Sequence, residues 1–205
     1  MSRYQELPLT LLLLVFSVPL AIVAAAILWF QLGPPLIFSQ IRAGMNGKTI
    51  IVRKFRTMTD RRDADGELLP DDQRQTRITR IIRRLRMDEL PQLWSILRGD
   101  MSLVGPRPLL PATVASFGSL GELRNSVRPG LTGWAQISGN TRLSNAEKLA
   151  LDVWYVTHRS FGMDLRILLE TAMVPLRGEI RDDDRLQAAM DWVKRRFGNW
   201  FEVVA

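Results

Sequence analysis

The chain has 205 residues, with 28 Lys and Arg against 21 Asp and Glu; its net charge of +7 suits an anionic partner such as nucleic acid, anionic lipid or a phosphorylated substrate. It contains no Cys and one His, which excludes a disulfide framework, thiolate chemistry, a His-based triad and a multi-His metal site. The length suffices for one core and little more, and any nucleophile or acid–base group must come from Asp, Glu, Lys, Ser, Thr or Tyr.

Residues 7–30 carry no charge. As a helix they would extend about 36 Å at ~1.5 Å per residue, enough for a hydrocarbon core of about 30 Å. Glu6 beside Arg3 and the poor cleavage site at Gly33-Pro34-Pro35 argue against a secretory signal. Pro19 lies near the middle, where it removes a helix hydrogen bond and crowds the preceding turn. Two geometries therefore compete: a straight or kinked span, and a hairpin of two arms that enters and leaves on one side. Arg42, Lys48, Arg53, Lys54 and Arg56 follow the segment and place the rest of the chain in the cytoplasm under either geometry. The expected division is a membrane-inserted part, 1–33, and a cytoplasmic, membrane-associated part, 34–205.

Two β-like runs, 36–40 and 49–55, flank the turn residues Gly44 and Asn46-Gly47 and predict a hairpin. Residues 60–72 read as a polar surface loop. In 74–86, Ile78, Ile81, Ile82 and Leu85 fall at i, i+3, i+4 and i+7, with Arg77, Arg80, Arg83, Arg84 and Arg86 around them. This is a basic amphipathic helix, suited to an anionic membrane surface or to a core with a solvated basic face. A second helical stripe, 90–97, opens at Asp88-Glu89-Leu90-Pro91 and stops at Gly99. Residues 101–108 read as an extended segment and turn, 112–123 as a helix and 128–139 as turns. Helices are expected at 145–155, 165–176 and 187–201. The last carries Trp192, Phe197, Trp200 and Phe201, which either pack a terminal helix onto the core or the membrane interface or offer aromatic faces to a ligand.

Asp88, just ahead of a helix with Pro91 in its first turn, has the place of an N-cap. Its surroundings offer a second reading. Asp88 and Glu89 follow five arginines and precede Arg98 and Arg107, a basic field expected to hold both carboxylates ionised and to gather phosphate oxygens. An ionised carboxylate beside bound phosphates is a Mg²⁺ ligand, a nucleophile, or both. Gly105-Pro106-Arg107-Pro108 presents an arginine fork in a rigid turn, and Lys54-Phe55-Arg56-Thr57-Met58 alternates across a strand. Pro129-Gly130-Leu131-Thr132-Gly133-Trp134 reads as a ligand-approaching loop or a structural turn, and His158 as a structural or surface residue.

These segments, in this order, resemble the bacterial sugar transferase family, specifically its small monotopic phosphoglycosyl transferases. The matching blocks are 38–44, 54–58, Met87-Asp88-Glu89-Leu90-Pro91-Gln92-Leu93, 99–108, 128–136 and 152–156, within residues 7–178. With no further membrane segment ahead of residue 7, the chain is similar to the family's minimal form. The resemblance implies an α+β, mainly helical fold: a re-entrant membrane helix broken at Pro19, a short β-hairpin and amphipathic interfacial helices in one compact cytoplasmic domain. It implies transfer of a phospho-sugar from a UDP-sugar to undecaprenyl phosphate with release of UMP, at the cytoplasmic face of the bacterial inner membrane. In that scheme Asp88 is the covalent nucleophile and a Mg²⁺ ligand, and Glu89 helps the second half as base or positioning group. Lys54, Thr57, Arg83, Arg107 and Arg128 are the implied phosphate and substrate contacts. The implied partners are the two substrates and membrane phospholipid, with room for a homodimer. A nucleic-acid partner is not expected, because the chain lacks an aromatic–basic RNA motif and a DNA-reading helix. Two departures concern the membrane segment. Val18 precedes Pro19 where the family commonly has Ser, with Ser17 one position earlier, and Ser2-Arg3-Tyr4-Gln5-Glu6 only partly supplies the family's charged lead-in.

Overall fold

The computed structural model describes residues 3–198. Its first element, α1 (Arg3–Leu32), is one helix that contains both Pro8 and Pro19, where the sequence suggests two arms. The buried positions of α1 are Glu6, Thr10, Ser17, Ala24 and Leu28, spaced 4, 7, 7 and 4 apart. At 3.6 residues per turn these fall on one face. That face packs on the rest of the protein from end to end. Near its start, the Arg3 guanidinium donates to the carbonyls of Ile96 (2.6 Å) and Leu97 (2.5 Å). The Glu6 carboxylate accepts from the Leu103 amide at 2.5 Å and from the Ser102 hydroxyl. Near its end, Ala24 and Leu28 pack with Phe55 and Ile82. Arg56 donates to the carbonyls of Leu32 and Gly33, both at 2.8 Å, and so satisfies groups that the helix terminus leaves open. The other face exposes Leu12, Val15, Phe16, Leu20, Val23 and Phe30.

The predicted hairpin is present: β1 (Ile37–Ala43) and β2 (Thr49–Phe55) pair antiparallel, from Ile37↔Phe55 to Ala43↔Thr49. Asn46 (φ 54°) and Gly47 (φ 76°) take the left-handed conformations that the turn needs. The basic helix α2 (Arg77–Arg84) starts at a capping box between Thr76 and Thr79. Its apolar stripe is divided: Ile82 is buried, whereas Ile78, Ile81 and Leu85 are exposed. A 3₁₀ turn, Met87–Glu89, leads to α3 (Gln92–Arg98), which ends at Gly99 (φ 88°). Asp88 therefore lies inside a turn and is not the cap of the next helix. Pro91 occupies the N-cap position, with no side-chain capping bond.

Beyond α3 the chain forms β3 (Ser102–Val104), α4 (Pro111–Ser116), α5 (Gly118–Arg124) and β4 (Gly130–Thr132). The 112–123 helix of the sequence reading is thus two short ones. β3 and β4 pair in parallel, Ser102↔Gly130 and Val104↔Thr132. The close approach requires glycine: a Cβ on Gly130 would stand 2.1 Å from the Gly105 amide nitrogen, and one on Gly105 would stand 2.5 Å from the Arg128 carbonyl oxygen. Bonds from Gly105 N to Thr132 O (2.8 Å) and from Gly130 N to Pro106 O (2.9 Å) hold the Arg107 turn against β4.

Among the described residues, α6 (Trp134–Ile137), a 3₁₀ turn (Asn140–Arg142), α7 (Asn145–His158), α8 (Phe161–Arg177) and α9 (Asp183–Phe197) follow. The main core joins α3, β3 and α6–α8 through Leu93, Ile96, Leu103, Trp134, Leu151 and Ile167. Arg124 is fully buried, paired with Asp152 at 2.8 Å, and donates to the Arg107 carbonyl at 2.6 Å, so the core grips the Arg107 backbone from behind. An aromatic ladder runs Trp134–Trp154–His158–Trp192–Phe197, with centroids 4.6–6.0 Å apart. It packs α9 onto α7 and gives His158, Trp192 and Phe197 structural places. Trp200 and Phe201 lie outside the described residues.

Candidate active site

The 3₁₀ turn that carries Asp88 and Glu89 is set by Arg86, a non-glycine residue in the left-handed region (φ 59°, ψ 18°). This reversal, between α2 and α3, turns both carboxylates inward: Asp88 is 8% exposed and Glu89 5%. They sit beside an open basin of about 900 Å³. Of the residues expected at the site, Lys54, Thr57, Arg83, Asp88, Glu89 and Arg107 all line it. Arg128 is not among its lining residues. The β3–β4 pairing turns the Arg128 carbonyl toward Gly105 instead.

The two carboxylates differ sharply in their partners. One oxygen of Glu89 accepts from Lys54 Nζ at 2.7 Å and from Arg107 Nη2 at 2.7 Å. Its other oxygen faces Arg86 Nη1 at 3.5 Å. Burial alone would raise its pKa, but Arg107, Lys54 and Arg86 outweigh that and hold Glu89 well below the usual carboxylate range. Asp88 takes part in no ion pair among the described residues. Burial, and then the charge of Glu89, push its pKa from 3.8 up to about 6, with Lys54 and Arg83 pulling it back only in part. From the sequence, the basic field is expected to hold both carboxylates ionised. It does so for Glu89 alone, because Glu89 claims the nearest cations and leaves Asp88 buried beside a negative neighbour.

The cations respond in turn. Burial lowers the pKa of Lys54, opposed by Glu89, whereas the Glu89 carboxylate raises that of Arg107 against the effect of burial. Lys54 and Arg107 are thus held by a fixed anion, ready to meet the oxygens of a phosphate.

One wall of the basin was not anticipated. Asn140, Thr141 and Glu179 line it together. Glu179 accepts from the Asn140 amide and the Thr141 hydroxyl, and faces Arg86 Nη2 at 3.3 Å. Asn140 and Thr141 lie in a 3₁₀ turn, Asn140–Arg142, and Glu179 in the loop after α8, and no periodicity ties them to the Asp88 turn. The left-handed Gly139 and Asn140 are the only local signal.

The residues can hold Mg²⁺ in one way. No group of three or more His, Cys, Asp or Glu side chains gathers among the described residues. Asp88 nevertheless offers one carboxylate whose charge no side-chain ion pair takes up. One carboxylate, completed by substrate phosphate oxygens and water, is a set that Mg²⁺ commonly accepts.

The chain is similar to a family of known proteins. A family model described as "Bacterial sugar transferase" matches residues 1–178. A Bacillus subtilis protein named as an uncharacterized sugar transferase, EpsL, is 44% identical over 179 residues, covering 87% of this chain and 89% of that protein. The undecaprenyl-phosphate glucose phosphotransferase of Komagataeibacter xylinus is 41% identical over 184 residues, covering 83% of this chain and 35% of that protein. The UDP-glucose:undecaprenyl-phosphate glucose-1-phosphate transferase of Escherichia coli is 37% identical over 182 residues, with 83% and 39% covered. The chain therefore spans most of the first relative and little more than a third of the other two. With a matching model over most of its length and relatives of this identity, the chain belongs to the bacterial sugar transferase family.

Proposed function

We propose that the chain transfers a phospho-sugar from a UDP-sugar to undecaprenyl phosphate and releases UMP, as a first membrane step in building a bacterial exopolysaccharide or related glycoconjugate. The class, a transferase of phosphorus-containing groups, follows from family membership and from the names of its relatives. The observation that carries the mechanism is the split between the two carboxylates. Asp88 is buried, lacks an ion pair and has a pKa raised to about 6, which makes it more basic than an ordinary aspartate. Basicity of that kind favours a nucleophile that is still largely ionised near neutral pH.

In the first half, an Asp88 carboxylate oxygen attacks the β-phosphorus. The bond from that phosphorus to the bridging oxygen breaks, and UMP leaves with the electron pair. The result is an aspartyl phospho-sugar, an acyl phosphate that retains the energy needed to pass its group on. In the second half, an oxygen of the lipid phosphate attacks the same phosphorus and Asp88 is released as carboxylate. Neither half needs a net proton from the protein. Lys54 and Arg107 offset charge on the phosphates, with Arg83 beside Asp88. Glu89 is held too far into its ionised form to act as a base near neutral pH, and this supports a positioning role for it. Asp88 would hold Mg²⁺, which when bound draws charge from the diphosphate oxygens.

The test is UMP release across a panel of UDP-sugars with undecaprenyl phosphate. At least one donor is expected to give UMP and a lipid-linked diphospho-sugar in equal amounts. Absence of both products with every donor would contradict the reading.

The same reading puts the body of the protein on the cytoplasmic face of the inner membrane, with α1 re-entrant. Both ends of α1 are fastened to one body while its outer face is apolar, which supports entry and exit on one side. The chain has no native Cys, so single-cysteine variants report position cleanly. Tyr4→Cys, at a 90% exposed position, and Asp65→Cys, in the polar loop, are expected to react with an impermeant thiol reagent only after the inner membrane is opened. Reaction of Tyr4→Cys from the periplasm of intact cells, with Asp65→Cys protected, would show a span instead.

A further inference from the structure

A second cavity of about 310 Å³ lies under α1, and its lining is mostly apolar. Leu13 and Ser17 of α1 form one wall; Leu90, Leu131, Leu168 and Ala172 form much of the rest. Two features set it apart from a packing defect. It shares Arg86, Glu89 and Val174 with the lining of the catalytic basin, so the two spaces meet at the catalytic turn. Its wall also includes Gln136, 5% exposed, whose Oε1 and Nε2 both lack a hydrogen-bond partner. A buried amide with neither bond made is uncommon in a folded protein and points to a ligand atom that would meet it.

We propose that this cavity holds the phosphate-proximal isoprene units of the polyprenyl phosphate acceptor. Its tail would lie against the leucines, and its phosphate would reach Arg86, where the cavity meets the basin, with the Gln136 amide on the cavity wall as a further polar contact. The proposal rests on the function proposed above and adds the place where the lipid enters.

Three observations favour this occupant. The polar basin suits a charged, water-soluble donor, and the acceptor needs a separate apolar route to the same phosphorus. The α1 wall continues into the exposed apolar face of that helix at Leu12, Val15 and Phe16, so a chain in the bilayer can reach the cavity sideways. Its volume is roughly twice that of the ~150 Å³ cavities that accept one benzene ring. That is room for about two five-carbon units in single file, and too little for the paired chains and glycerol of a phospholipid.

The test uses the full-length protein in phospholipid nanodiscs with a polyprenyl phosphate analogue bearing a diazirine on its first isoprene unit. After irradiation, labelled peptides are mapped by mass spectrometry. Labelling is expected at residues 131, 168 and 172, and to be competed by unlabelled undecaprenyl phosphate but not by phosphatidylglycerol. Ala172→Phe, which fills the cavity, is expected to raise the KM for the lipid acceptor by about tenfold while the KM for the UDP-sugar holds. Labelling elsewhere by an enzyme that transfers normally, or equal competition by phosphatidylglycerol, would overturn the site and leave the proposed activity standing. Wild-type protein that transfers nothing to any polyprenyl phosphate would overturn the activity, and this inference with it.

Discussion

Asp88→Asn is expected to abolish transfer and at the same time to raise the thermal midpoint. The loss of activity should reach about four orders of magnitude or more, the usual scale for removing a covalent nucleophile. The gain in stability has a separate origin. The pKa of Asp88 rises from 3.8 to about 6 on folding, because burial and Glu89 both disfavour its charge. Between those two values the native protein binds more protons at this site than the unfolded chain does, so stability falls as pH rises through that window. By neutral pH the cost is on the order of 3 kcal/mol, at ~1.4 kcal/mol per pKa unit. Asparagine has nearly the same shape and no charge, so the variant escapes that cost. For a protein of this size the gain corresponds to roughly 6–12 °C. Near pH 4 the two proteins should melt closer together, since wild-type Asp88 is then protonated in the native state. Activity assays and thermal unfolding on the same purified samples check both halves. Normal turnover by the variant would remove Asp88 from the nucleophile role; an unchanged or lower midpoint at pH 7.5 would contradict its electrostatics.

Glu89→Gln should act in the opposite direction on stability and the same direction on activity. Glu89 is the shared anion of Lys54, Arg107 and Arg86. A neutral amide leaves three cations facing one another around a buried site, and breaking buried pairs in this way commonly costs about 3–5 kcal/mol. Its depressed pKa gives the sign with pH: the stabilisation is present above the ordinary glutamate range and is lost as pH falls through the lower native value. The variant should therefore melt well below wild type at pH 7.5. Transfer should fall because Lys54 and Arg107 lose the anchor that aims them. Two adjacent carboxylates would then show stability changes of opposite sign under equally conservative substitutions. A shift of the same sign for both would contradict the division of labour between them.

Much of this was legible in the sequence where local chemistry decides structure. Asn46-Gly47 forces a tight turn, and the hairpin formed where the turn residues indicated. Gly99 ends α3 because its left-handed conformation suits glycine. Of the site residues that the resemblance implies, Lys54, Thr57, Arg83, Asp88, Glu89 and Arg107 line one basin and Arg128 does not, although they derive from segments far apart in the chain.

What stayed illegible depends on tertiary contact. β3 and β4 are three residues each and pair across a separation that no local pattern reveals. The buried stripe of α1 includes Glu6, Thr10 and Ser17, polar residues that hydropathy alone would not assign to a core. Glu6 is tolerated there because the Ser102 hydroxyl and the Leu103 amide satisfy its carboxylate. The place of Asp88 as a cap followed from sequence position, but the left-handed Arg86 reversed the chain and made a 3₁₀ turn instead. The uneven charge state of the two carboxylates required knowing which of them the cations reach. Glu179 entered the site through the loop after α8, carried there by packing and not by any motif.

The most direct measurement is mass spectrometry of the wild-type protein incubated with a UDP-sugar and Mg²⁺ in the absence of any polyprenyl phosphate. The expected result is a burst of UMP approaching one per active protein, with the mass of a phospho-sugar on the peptide that contains Asp88. That adduct should disappear when undecaprenyl phosphate is added. Formation of UMP only when the lipid acceptor is present, with no adduct under any condition, would show direct transfer and contradict Asp88 as a covalent nucleophile.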